Sequence, residues 1–127
     1  MQPSTKTILL VDDEPHLSTV IKTCLETLKP WQTITVHSGT AALSQAQINP
    51  PDAILLDIMM PDMNGEQLLQ ALRQSETTHS IPVIIFTASS QHQTVNKFLE
   101  YEVAGVIPKP FNPLTLAEQI AQLLGWI

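Results

Sequence analysis

With 127 residues and a formal net charge of −6, the chain has room for one ordinary domain, and it lacks the basic surplus that a phosphate backbone or an anionic membrane would attract. Hydrophobic residues make up 43% and charged residues 14%, which excludes a disordered segment. A single cysteine, Cys24, excludes an internal disulfide and a multi-cysteine metal site; with a polar N-terminus and no apolar run near the roughly 20 residues of a membrane span, the expected location is the cytoplasm.

In chain order, the first element is the continuous apolar run Ile8-Leu9-Leu10-Val11, a pattern that suits a strand covered on both faces. Pro15 stands where a helix tolerates it near its first turn, and Leu17, Val20, Ile21, Cys24, Leu25 and Leu28 form the expected core face, Cys24 reading as a small core residue. Thr33-Ile34-Thr35-Val36 alternates, as a half-exposed strand near a sheet edge does. A helix is predicted over Gly39 to Gln47, a strand over Ala53-Ile54-Leu55-Leu56 after the Pro50-Pro51 break, and a helix over Asn64 to Arg73. Beyond Pro82 come the strand Val83-Ile84-Ile85-Phe86, a helix over Gln91 to Tyr101, the short strand Val106-Ile107 and a helix over Pro113 to Leu124.

Strand then helix, five times over, predicts an α/β fold with parallel strands and right-handed crossovers. The expectation is a single domain over 1–127 with its core in 8–124, and no output domain. Ligands of such sheets bind beyond the carboxyl ends of the strands. There the sequence places Asp12 and Asp13, then Asp57, Thr87 and Lys109. A lone aspartate at a strand end reads first as a solvated residue or a helix cap; it is the convergence of these residues on one edge that suggests a site.

Carboxylates gathered in one place repel one another, so the arrangement asks for a cation. All-oxygen ligands favour a hard ion, and Mg²⁺ takes one or two carboxylates, keeps several waters and leaves room for phosphate oxygens. Lys109 brings a second positive charge suited to a transferring phosphoryl group, and Thr87 a hydroxyl donor. A carboxylate can itself become an aspartyl phosphate. Asp57 is the best candidate, because it ends a central strand and is followed by Ile58-Met59-Met60-Pro61, a loop that closes at the turn signal Asn64-Gly65.

Together, Asp12-Asp13, Asp57 in Asp57-Ile58-Met59-Met60-Pro61-Asp62-Met63-Asn64-Gly65, Thr87-Ala88 and Lys109-Pro110-Phe111 resemble the receiver domain of response regulators, over nearly the whole chain from Ile8 to about Leu124. The resemblance implies a flavodoxin-like, doubly wound five-stranded parallel sheet of order 2-1-3-4-5 with five helices. It implies Asp57 as phosphoacceptor, Asp13 as a direct Mg²⁺ ligand, Asp12 as a ligand through water and the Met59 carbonyl as a further ligand. Lys109 would pair with the phosphoryl group, Thr87 would move toward it, and the Lys109-Pro110 bond would often be cis. The implied partners are a sensor histidine kinase or histidine phosphotransfer protein and a downstream protein target.

Charge-assisted hydrogen bonds contribute about 1.5 to 3 kcal/mol each, whereas inverting a 1:99 population takes about 5.5 kcal/mol, so Thr87 and Lys109 should both be needed for full switching. Where the family commonly places an aromatic side chain three residues before the lysine, this chain has Val106, which predicts a muted or differently routed change on the face of the last two helices and last strand. The resemblance also implies that Met59 and Ser89 would flank the path of an attacking water. Apolar Met59 cannot orient that water, which predicts slow loss of the phosphoryl group.

His16, His37, His79 and His92 show no metal-binding spacing and read as surface or capping residues, while Met59, Met60 and Met63 read as loop packing. In the last helix Ala117, Ile120, Ala121 and Leu124 form the core face. Leu116, Leu123 and Ile127 add a second apolar line that either seals the core or meets a partner, with Trp126 favouring a contact and a second copy of the chain as one candidate. The function read from these residues is a phosphorylation switch that catalyses only its own loading and unloading. The alternatives are a receiver-like interaction module that works without phosphorylation, and a small phosphohydrolase, which usually needs an acid where Met59 stands. A flavin protein is disfavoured, since no phosphate-cradling loop follows the first strand.

Overall fold

The structure, a computed structural model, describes residues 6–57, 65–87, 103–108, 111–112 and 114–126. Its strands are β1 (Lys6–Val11), β2 (Trp31–Val36), β3 (Ala53–Asp57), β4 (Val83–Thr87) and β5 (Gly105–Pro108). Its described helices are α1 (Pro15–Leu28), α2 (Gly39–Ile48), α3 (Gly65–Gln74) and α4 (Leu116–Leu124). All pairings are parallel and the sheet runs β2-β1-β3-β4-β5, the order the resemblance implied. The helix expected over Gln91 to Tyr101 lies outside the described residues.

Continuous apolar strands are explained by cores on both faces of the sheet. Successive strand side chains point to opposite faces. Leu9, Val11, Ile54, Leu56, Val83 and Ile85 accordingly pack with Ala42 and Ala46 of α2 and Leu68, Leu69 and Leu72 of α3. On the other face Ile8, Leu10, Leu55, Ile84, Phe86 and Ile107 pack with Ile21 and Leu25 of α1 and with Leu116, Ala117, Ile120 and Ala121 of α4. This two-sided burial is what makes the loops at the strand ends the available place for polar chemistry.

Helix α1 sits differently from the face read in the sequence. Ser18, Ile21 and Leu25 form its buried line, while Val20 and Leu28 are 45% and 47% exposed and Cys24 is half-buried. Val20, Cys24 and Leu28 form their own i, i+4, i+8 row, about 100° around the helix from a row through Ile21 and Leu25, and only the latter meets the sheet. Ser18 can be buried because its hydroxyl donates to the Glu14 carbonyl at 3.1 Å.

β2 is the edge strand that its alternating sequence predicted, and α1 closes part of that edge. The Val36 carbonyl accepts the Asp12 N–H at 3.2 Å, so Val36 faces β1 and Thr33, three residues earlier, turns its backbone groups the other way. Thr33 N–H donates to Glu26 Oε2 at 2.8 Å and the Thr33 carbonyl accepts from Lys22 Nζ at 2.6 Å. Lys22 and Glu26 pair at 3.1 Å. The Thr33 N–H and the Lys22 ammonium hold the Glu26 carboxyl below its ordinary range.

The last helix settles part of the ambiguity at its end. Leu116, of the second apolar line, is fully buried, as the core-sealing alternative has it, whereas Leu123 is 39% exposed. Trp126 is half-buried within the chain: its ring meets Trp31 edge-on at 5.3 Å, with Lys6 Nζ 5.2 Å from its centroid. Gly125, at φ 70°, supplies the left-handed residue that ends α4. Ile127 lies outside the described residues.

Candidate functional site

The site is assembled by register. Val11 pairs with Leu56, so the residues that follow, Asp12 and Asp57, emerge side by side at the carboxyl ends of β1 and β3. Asp57 in turn pairs with Phe86, which places Thr87 at the end of β4 on the same edge, opposite Pro108 of β5. One carboxylate oxygen from each of Asp12, Asp13 and Asp57 lies within 4.8 Å of the others. Asp12 and Asp57 are buried, at 0% and 4% exposure, while Asp13 is exposed.

Asp12 is fixed by its surroundings. Its Oδ1 accepts the Glu14 N–H at 2.8 Å, a local turn that leads the chain from β1 into α1. Its carbonyl lies 2.9 Å from Nδ1 of His37, the first residue after β2. His37 reads in the sequence as a surface or capping residue, and the residue is exposed. Its link to Asp12 has no sequence signature, because it depends on the β1-β2 register.

The structure therefore brings together three of the predicted site residues, Asp12, Asp13 and Asp57, and positions the backbone of a fourth, Thr87. Met59, Lys109, Ser89 and the Lys109-Pro110 bond lie outside the described residues. As a donor set the three carboxylates fit a hard divalent cation: they offer only oxygen, two are buried where uncompensated charge is costly, and the third faces solvent, so the pocket is open on one side. Mg²⁺, which retains waters, suits such a half-open oxygen site better than it would a closed cage.

Among the described residues no helix is long and apolar enough to cross a membrane. The sequence model of the response regulator receiver domain matches residues 8–121. The transcriptional regulatory protein CpxR of Escherichia coli K12 is 39% identical over 117 residues, covering 92% of this chain and 48% of CpxR, so the chain spans about half the length of that relative. The chemotaxis protein CheY4 of Vibrio cholerae superimposes with a TM-score of 0.87 at 25% identity, over 94% of this chain and 99% of that one. The receiver domain of the sensor histidine kinase PA1611 from Pseudomonas aeruginosa PAO1, whose structure has a magnesium ion coordinated in the active site cleft, superimposes with a TM-score of 0.85 at 28% identity, over 96% and 99% of the two chains.

Proposed function

The chain belongs to the response regulator receiver domain family, and from that premise we propose that it is a cytoplasmic, phosphorylation-operated switch of a two-component or phosphorelay pathway. A sensor histidine kinase or a histidine phosphotransfer protein loads it, and a downstream protein reads the result. The observation that carries this reading is the meeting of the Asp12, Asp13 and Asp57 carboxylates at one edge of the sheet.

In the proposed reaction a carboxylate oxygen of Asp57 attacks the phosphorus of a phosphohistidine. The new O–P bond forms as the P–N bond breaks, and the departing imidazole takes up a proton. Asp12, Asp13 and Asp57, with the Met59 carbonyl, would hold Mg²⁺. When bound, the ion would offset the negative charge that otherwise opposes an incoming phosphoryl group. Burial of Asp57 at the end of a rigid central strand orients its carboxylate and limits water around it, while the exposed Asp13 side leaves an approach for the donor. Lys109 and Thr87 would then bind the phosphoryl oxygens, so that the loaded state gains contacts the unloaded state lacks. The chain catalyses only its own phosphorylation and slow dephosphorylation.

Incubation with Mg²⁺ and a small acyl or amido phosphate, followed by intact-mass measurement, tests the proposal. A single phosphoryl group labile to base and absent in Asp57→Asn is expected. Turnover of many equivalents of donor would instead mark a phosphohydrolase, and no modification would leave the phosphorylation-independent interaction module as the better reading.

A further inference from the structure

We propose that His37 is a positioning residue for the metal pocket, holding the Asp12-Asp13 turn in place through the Asp12 carbonyl; this rests on the reading of Asp12, Asp13 and Asp57 as a Mg²⁺ site. The parallel ladder between β1 and β2 ends at the pair Val11 and Val36, with one more bond from the Asp12 N–H to the Val36 carbonyl. At that point β2 leaves the sheet, because Ser38 caps α2 by accepting the Ala41 N–H at 3.1 Å. The next backbone acceptor of β1, the Asp12 carbonyl, receives a side chain instead of a strand: His37 Nδ1, at 2.9 Å.

A carbonyl oxygen can only accept, so the ring nitrogen facing it must carry the proton, and His37 is placed as the Nδ1–H form. Asp12 is thereby held at its N–H by Val36, at its carbonyl by His37 and at Oδ1 by the Glu14 N–H. Three ties on one residue define where its carboxylate, and that of its neighbour Asp13, stand relative to Asp57 on the separate strand β3. Of these three the His37 tie is the one made by another residue's side chain, and so the one that a substitution can remove while leaving both the ladder and the Asp12 carboxylate intact. Groups that orient ligands from behind typically govern metal affinity by about 10-fold to 100-fold.

The donor can be separated from the rest of the ring. In asparagine the amide nitrogen sits on Cγ, as Nδ1 does in histidine, whereas alanine has no donor and glutamine carries its donor one bond further out. The experiment is titration of the full chain with MgCl₂ alone, followed by calorimetry, for wild type, His37→Ala, His37→Asn and His37→Gln, with circular dichroism establishing that each is folded. His37→Ala and His37→Gln should bind the ion about 10-fold or more weakly, and His37→Asn should restore wild-type affinity. In parallel, ¹⁵N ring spectra of the wild type in mildly alkaline buffer should show the proton on Nδ1.

Undiminished Mg²⁺ affinity in His37→Ala, an Asn variant as weak as Ala, or a ring protonated on Nε2 would each overturn the assignment. A wild type that binds Mg²⁺ while His37→Ala matches it refutes only the role of His37. A wild type that fails to bind Mg²⁺ removes the site and the inference with it.

Discussion

Thr33→Val should stabilise the protein. Thr33 is 1% exposed on the edge strand, in register with Ile8, and its hydroxyl is buried with no hydrogen-bond partner among the described residues. Its backbone N–H and carbonyl are taken by Glu26 and Lys22, whereas the buried hydroxyl gains no partner among the described residues for the water it gives up on folding. An unsatisfied buried hydroxyl costs about 1 to 3 kcal/mol. Valine removes that cost, fills nearly the same volume and keeps the β-branch that suits a strand, so the net gain should be about 1 to 2 kcal/mol. For a domain of this size that is a rise of roughly 4 to 8 °C in the unfolding midpoint. Urea denaturation should show a higher midpoint at unchanged slope. Thr33→Ser is the control: it keeps the hydroxyl, loses the methyl and should fall below wild type. If valine left the midpoint unchanged or lowered it, the hydroxyl would have a partner in solution and the reasoning would fail.

Mg²⁺ should raise the unfolding midpoint of the wild type, and Asp57→Asn should abolish phosphoryl uptake from a small donor and remove most of that rise, both readable on one protein preparation. Glu26 has a folded pKa below its ordinary value of 4.5, so the stability it contributes is complete above that value and is lost as the pH falls through the lowered one; acid titration of Glu26→Gln should lack that component of the wild-type profile. Leu116→Ala should cost about 2 to 5 kcal/mol in denaturant unfolding, because Leu116 is fully buried, while Leu123→Ala on the exposed side of the same helix should cost well under half of that. Met59→Asn should speed loss of the phosphoryl group, followed as the decay of the modified mass after removal of donor; an unchanged decay would count against Met59 as the residue that sets the lifetime.

Much of the architecture is legible in single residues. Ile8 to Val11, Ala53 to Leu56 and Val83 to Phe86 are apolar without interruption, and runs so short suit strands covered on both faces. The carboxylates are legible too, since they follow those runs directly and a parallel sheet sends all its carboxyl ends to one edge. Helix α1 was less legible. Val20 and Leu28 fit an apolar stripe as well as Ile21 and Leu25 do, and which side of the stripe is buried depends on how the helix rolls against its neighbours, with Ser18 made acceptable by its bond to the Glu14 carbonyl.

From the sequence alone came the period of each element, the residues at the strand ends and hence the kind of chemistry the edge supports. These are local properties, set by spacing along the chain. Tertiary structure decided what depends on two segments meeting: the approach of the Asp12, Asp13 and Asp57 carboxylates, the closing of the Thr33 edge by Lys22 and Glu26, and the reach of His37 to the Asp12 carbonyl. Contacts of that kind follow from strand register and helix roll, which the packing of the whole core selects and no single stretch of residues contains.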